Sequence, residues 1–261
     1  MKKINVITPT VRPEMLSVVQ KCLSRQTFHD FSWTIVTPLV PVKAEYHEYL
    51  EKYDVIHQYV DGVGAYQIIP EPLKNDGDYY GLTKAYNEGF RKSGEELIVS
   101  IQDGLWFPPT LLESFWNHYQ SNPQALVGAV GNQYDQIVNG KPEHQVWVDP
   151  RKRTDFGSFY EVSPREIEYT ICSIPRQAIV DVGGMDEEWD KYAALCEKEM
   201  NARMDKLGYK FYLDQGIEYR AIKHPRLSEE WDKRYEAGCI YYQKCLQEID
   251  EGKRLRLDFV K

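Results

Sequence analysis

Three short polar clusters carry side chains suited to chemistry: Thr8-Pro9-Thr10 with Arg12, Gln102-Asp103, and Glu197 with Glu199. Hydroxyl and guanidinium groups bind anions, and carboxylates accept protons or ligate hard cations, so the set matters only if it converges. Taken singly, each has an ordinary explanation. Thr10 reads as a helix cap, Arg12 as a surface residue and Asp103 as a turn former. Their common feature is that they fall where strands end. Strand ends converge in an open sheet however far apart they lie in sequence, so the three clusters can share one cleft.

The elements that must position them follow from hydrophobic spacing. Ile4 to Thr8 is β-rich and ends at Pro9-Thr10. Pro13 can open a helix whose apolar positions Met15, Val18, Val19 and Leu23 recur at helical intervals. A second strand, Ser32 to Thr37, stops at Pro38. This strand–loop–helix–strand order begins an α/β unit with a parallel sheet. A short helix (Ala44 to Glu51), a strand (Val55 to Val60) and a Gly/Pro-punctuated loop follow. Tyr80 to Ser93 reads as a helix stopped by Gly94, Leu97 to Ile101 as a buried strand, and Pro108-Pro109 as the start of a helix through Tyr119. Val127 to Gly131 and Ile171 to Ile174 are further buried strands. Residues 132 to 165 are polar, aromatic and turn-rich. A helix from about Tyr192 to Leu207 carries Glu197 and Glu199, and a helical tail spans Ser228 to Gln247.

Composition bounds the function. The chain has 261 residues, 42% hydrophobic, with 32 Lys and Arg against 40 Asp and Glu. That fills a core and excludes a disordered chain. The net charge of -8 disfavours broad capture of nucleic acid, and Arg151-Lys152-Arg153 reads as a solvated face. No signal-like h-region follows Met1, and no apolar run is long enough to span a bilayer, so the expected location is cytoplasmic, including the cytoplasmic face of a membrane. The five scattered cysteines read as reduced thiols. Nineteen tyrosines suit sugar or base stacking and suit an ordinary core equally well.

Several mechanisms lack their signatures. There is no phosphate-binding loop ending in Gly-Lys-Ser/Thr, no dinucleotide Gly-x-Gly-x-x-Gly, no Gly-x-Ser-x-Gly elbow and no helical His pair. Of the six histidines, His224 stands out because it follows a strand-like segment and precedes Pro225.

The segment Ile7-Thr8-Pro9-Thr10 with Arg12, then Leu23 and Gln26, resembles the opening of family-two-type nucleotide-sugar glycosyltransferases with the GT-A fold. Gly81-Leu82-Thr83-Lys84-Ala85-Tyr86-Asn87-Glu88-Gly89 is similar to their central helix. Gly183-Gly184-Met185-Asp186-Glu187 resembles the turn before their acceptor-side helix, whose spacing Glu197, Glu199, Arg203 and Gly208 keep. The resemblance covers roughly the first 224 residues. It implies a GT-A-like α/β fold with a mostly parallel central sheet flanked by helices. The donor-binding half would occupy about residues 1–107, the acceptor half about 108–224, and a helical extension 225–261.

The resemblance further implies inverting transfer of a sugar from a nucleotide-sugar donor to a glycan or other hydroxyl acceptor. Glu197 falls where the family's general base is expected, with Glu199 second. Thr8, Pro9, Thr10, Arg12, Lys84, Gln102 and Asp103 would meet the donor. A divalent cation, Mn²⁺ or Mg²⁺, would be held by Asp103 with His224. The chain also departs from the pattern. The aspartate motif reads Gln102-Asp103-Gly104, the usual Glu-Asp pair reads Cys196-Glu197, and the loop after the second strand reads Thr37-Pro38-Leu39-Val40. Those departures leave open a non-catalytic sugar- or nucleotide-binding relative. Trp106, beside the central strand, is read equally as a sugar-stacking or a core residue.

Overall fold

Ile4–Pro9 (β1) is buried along its whole length, as a strand covered on both faces must be. It pairs in parallel with Phe31–Thr37 (β2) on one side and with Leu97–Ile101 (β4) on the other. Ala65–Pro70 (β3) adds in parallel to the outer edge of β2. The computed structural model describes residues 2–38, 63, 65–72, 75, 77–79, 81–138, 141–155, 157–223 and 230–260. The expected helix Ala44 to Glu51, the expected strand Val55 to Val60 and His224 lie outside them.

Beyond β4 the sheet continues through Ile171–Pro175 (β9), antiparallel to β4, then Ala125–Val138 (β6) and Lys210–Ile222 (β10), which are parallel to each other. Leu105–Trp106 (β5) closes that edge against β10. The strand order is β3-β2-β1-β4-β9-β6-β10-β5, with Lys141–Trp147 (β7) on β6 and Phe159–Glu161 (β8) on β10. The central sheet is largely parallel, as expected; β9 lies antiparallel between β4 and β6, and β5, β7 and β8 add antiparallel pairings at the periphery. Because the chain runs from β1 outward to β2 and later returns to β4 on the other side, the order reverses between β1 and β4. In open α/β sheets such a reversal opens a crevice at the carboxyl ends of the two strands.

Alternating side chains fill two cores. Val6, Leu97 and Val99 pack on one face with Leu16–Leu23 (α1) and Leu111–Ser121 (α3), through Val19, Leu112 and Phe115. Ile7, Ile98 and Ile174 pack on the other face with Leu82–Lys92 (α2), Arg176–Val182 (α4) and Cys196–Lys206 (α5). A C-terminal helix, Trp231–Asp250 (α6), leans on α5 through Tyr242, Cys245 and Leu246.

The last residues are strapped to the same region. The Leu257 N–H donates to Val182 O at 2.9 Å and the Phe259 N–H to Gly183 O at 3.0 Å. Gly183 is left-handed (φ +71°) and a Cβ there would fall 1.4 Å from Leu257 O, so only glycine lets the tail approach.

Two expectations shift. The helix anticipated from Tyr192 begins at Cys196, because Ala194 and Leu195 adopt left-handed φ values of +65° and +71° and break it. The polar stretch from 132 holds the outer part of β6 and all of β7. That arm projects beyond the core and is mostly solvated, so it lacks the apolar alternation that marks a half-buried strand.

Candidate active-site cleft

The Thr10 N–H donates to Val36 O at 2.9 Å, which carries the β1–β2 ladder one residue past the strand. The chain then turns, with the Arg12 N–H donating to Thr10 Oγ1 at 2.9 Å. β4 ends one residue before Gln102, whose N–H donates to Thr170 O. Asp103 is thereby set beside Thr10 and Arg12. Its Oδ2 accepts from Thr10 Oγ1 at 2.6 Å and from Arg12 Nε at 3.3 Å, while Oδ1 accepts from Arg12 Nη2. Asp103 is 8% exposed, so this ion pair sits in the floor of the crevice rather than in bulk water.

Above that floor lies a cleft of about 630 Å³, within the ordinary range for a small-molecule site. Pro9, Thr10, Arg12, Gln102, Asp103 and Glu197 all line it. The three sequence clusters therefore do share one cleft. Glu197 comes from the first turn of α5. Its Oε2 accepts from Cys196 Sγ at 3.3 Å, Lys198 Nζ stands 3.8 Å from Oε1, and the side chain is 19% exposed. A smaller hollow lined by Tyr86, Gln102, Tyr169 and Glu197 adjoins it. The left-handed Ala194 and Leu195 immediately precede this turn, and Ala194 itself lines the cleft. Non-glycine residues in that region are strained, and such strain collects at functional sites.

Three anticipated residues are placed elsewhere. Glu199 is fully buried between two arginines: Arg203 Nε and Nη2 donate to it at 2.9 and 3.0 Å, and Arg254 Nε at 2.9 Å. It holds α5 to the tail and does not face the cleft, because residues two apart point to different sides of a helix. Lys84 is buried with its ammonium on Asp78, and that pairing overcomes burial to hold the Asp78 carboxyl below its ordinary value. Thr8 is buried and accepts from Trp33 Nε1 at 3.0 Å. Trp106 is a structural residue, with Lys141 and Arg220 over its ring at 4.7 and 5.6 Å. The run Arg151-Lys152-Arg153 is neutralised residue by residue, by Asp149, Glu218 and Glu166 at 2.6, 2.7 and 2.6 Å.

Among the described residues, the surroundings of Asp103 do not fit the expected cation site. Both Asp103 oxygens are engaged, Gly104 has no side chain, and His224 lies outside the described residues. Among the described residues no group of three or more His, Cys, Asp and Glu side chains could hold a metal ion. Cys196 offers no nucleophile, since burial and the adjacent Glu197 push its thiol well above the ordinary value.

The cleft also contains residues that sequence reasoning passed over. Asp190 accepts the Thr83 and Lys84 N–H groups at 2.8 and 3.2 Å, capping α2 from across the cleft. Burial pushes its carboxyl up to about 6, against the opposing pull of those N–H groups and of Lys84. Glu71 lies under Gly81, where a Cβ would fall 1.6 Å from Glu71 Oε1. Tyr79, Trp189, Tyr192 and Trp231 add an aromatic wall, the last from the first turn of α6. The available signal was the continuation of the Gly-Gly-Met-Asp-Glu turn into Trp189-Asp190; Trp231 had none beyond its helical spacing.

No protein-family model matches the sequence, and no curated protein matches it. Solved structures do. S. aureus TarS 1–349 in complex with UDP shares 13% identity at a TM-score of 0.58, covering 85% of this chain and 61% of that one. Its complex with UDP-GlcNAc gives 13% identity and 0.59, covering 86% and 59%. GalNAc-T7 with UDP, GalNAc and Mn²⁺ gives 11% identity and 0.58, covering 88% and 44%. The chain thus spans less than two thirds of each of these structures. At such identities the likeness is one of architecture: the chain has the GT-A-like α/β fold.

Proposed function

We propose that the protein is a glycosyltransferase that moves a sugar from a nucleotide-sugar donor to a hydroxyl acceptor with inversion at the anomeric carbon. The observation that carries this reading is the arrangement of Glu197 and the Arg12–Asp103 pair along one cleft at the β1/β4 crevice. A carboxylate on one wall and a guanidinium at the floor suit a reaction with a proton to remove and an anion to release.

In the transfer the acceptor oxygen forms a bond to the anomeric carbon. The bond from that carbon to the diphosphate oxygen breaks, and its electron pair leaves on the diphosphate. The acceptor proton passes to Glu197 as general base, a role its position on the cleft wall supports. Asp190 and Glu71 shape the walls, and the aromatic side offers flat apolar faces to a sugar ring. The finer expectation of a cation on Asp103 has no support from the carboxylate's surroundings, so no step is routed through one.

A panel of nucleotide sugars tests the reading, scored by nucleoside diphosphate release with and without an added hydroxyl acceptor. Acceptor-stimulated release from one donor class is expected. Donor binding without any release would favour the non-catalytic relative instead, a reading to which the altered Gln102-Asp103-Gly104 and Cys196-Glu197 positions lend themselves.

A further inference from the structure

Resting on the glycosyltransferase reading, we propose that the donor diphosphate is held directly by Arg12, without a divalent cation bridging it to Asp103. Asp103 and Thr10 are then positioning residues that aim the guanidinium. Four observations carry this.

The carboxylate is already satisfied. A fork of Arg12 Nε and Nη2 spans both oxygens, and the Thr10 hydroxyl adds a 2.6 Å hydrogen bond to Oδ2. A cation would have to displace a bidentate guanidinium, among the stronger charge-assisted pairings. Second, the partners a divalent ion needs are missing among the described residues. Mg²⁺ demands octahedral oxygen ligation, yet Asp103 is flanked by an amide and a glycine, and no acidic trio occurs among the described residues. His224 would add a single imidazole to a carboxylate already paired.

Third, the guanidinium is only half used. The fork to Asp103 engages one edge, and Nη1 has no partner among the described residues while the side chain remains 27% exposed. A planar guanidinium held by a carboxylate on one edge presents the other edge to a phosphate. Fourth, Arg12 is the one Lys or Arg among the described residues lining the cleft, whereas Glu71, Asp190 and Glu197 also line it. Among the described residues, an incoming diphosphate therefore has one place where its charge is met. The leaving group's charge grows at that place as the anomeric bond breaks, and a preorganised cation there needs no metal to do its work.

Calorimetric titration tests this with UDP, GDP, CDP, ADP, dTDP and inorganic pyrophosphate as probes, in EDTA and in Mn²⁺. The wild type should bind one nucleoside diphosphate with dissociation constants that agree within about twofold in the two buffers. Arg12→Ala should weaken metal-free binding by about tenfold or more, the value of a lost charge-assisted contact. Arg12→Lys should fall between, keeping the charge without the fork. Asp103→Asn should weaken binding less than Arg12→Ala, and the double variant should be no weaker than Arg12→Ala alone, as expected when one residue acts through the other. Binding that requires Mn²⁺ and is lost in Asp103→Asn overturns the proposal, and this wild-type comparison decides even where Arg12→Ala fails to fold. If no nucleoside diphosphate binds in either buffer, the glycosyltransferase reading falls. Pyrophosphate then still judges Arg12: metal-free binding lost in Arg12→Ala and weakened in Arg12→Lys upholds its role, and no metal-free binding refutes it.

Discussion

Arg12 and Asp103, 91 residues apart in the chain, meet as a forked ion pair where β1 and β4 end side by side. The pair closes the bottom of the crevice that the reversed strand order opens. It also ties the loop after the first strand to the loop after the central strand. Glu197 reaches the same cleft from a different element, α5, whose Glu199 is bonded by Arg254 of the segment after α6.

That bond makes Arg254 a test of how α5 is held. Arg254 bonds Glu199 at 2.9 Å, pairs with Asp186, and approaches Glu248 at 3.6 Å. Arg254→Ala leaves two buried carboxylates with one arginine fewer, and should cost roughly 3 kcal/mol in a chemical denaturation experiment. Sugar transfer should fall with it through a lower kcat and little change in donor KM, and Arg254→Lys should restore part of both. Full stability and turnover in Arg254→Ala would show that the tail does not position α5.

Asp190 predicts a pH dependence of stability. Its carboxyl titrates near 6 in the folded protein against an ordinary value of 3.8. Between these values the folded state holds more protons than the unfolded state, so stability falls as pH rises through that window. Asp190→Asn lacks the titration. Melting temperatures measured from about pH 4 to about pH 7 should therefore show the wild type losing stability relative to Asp190→Asn. A constant difference would mean that the carboxylate is solvated rather than buried at the α2 terminus.

Ala194 bears on the strained turn before Glu197. It is exposed with φ +65°, so its methyl group adds strain without packing. Ala194→Gly should raise stability by about 1 kcal/mol in denaturant titrations, since glycine adopts this conformation without the steric penalty. Lower transfer at higher stability is the expected companion, because a relaxed turn holds Glu197 less firmly. Loss of stability would place the methyl group in a contact that matters.

The parallel half of the fold was legible because β1, β2 and β4 are short runs rich in β-branched and large apolar residues, each cut off by proline or a polar turn. The convergence of Thr10, Arg12 and Asp103 was legible for the same reason, whereas Glu197 sits on the first turn of a helix whose start the apolar spacing placed about four residues too early. The β6–β7 arm was not, because strands solvated on both faces carry no periodic pattern. β3 was missed for a related reason, being an edge strand exposed over half its length. Spacing shows Arg203 four residues after Glu199, but the burial of Glu199 and Lys84 could not be read from it, since the further partners Arg254 and Asp78 lie outside their helices. Asp190 escaped because its role is to cap a helix more than a hundred residues earlier in the chain.

In the proposed transfer Glu197 takes the acceptor's proton. The direct measurement is steady-state sugar transfer by purified Glu197→Gln, with donor affinity measured on the same preparation. The glutamine keeps the shape and the neighbours of the side chain but cannot serve as a base. Transfer should fall by about 10²- to 10⁴-fold, the usual contribution of general base catalysis, with the donor dissociation constant changed by less than about twofold. Undiminished turnover in Glu197→Gln would contradict the account.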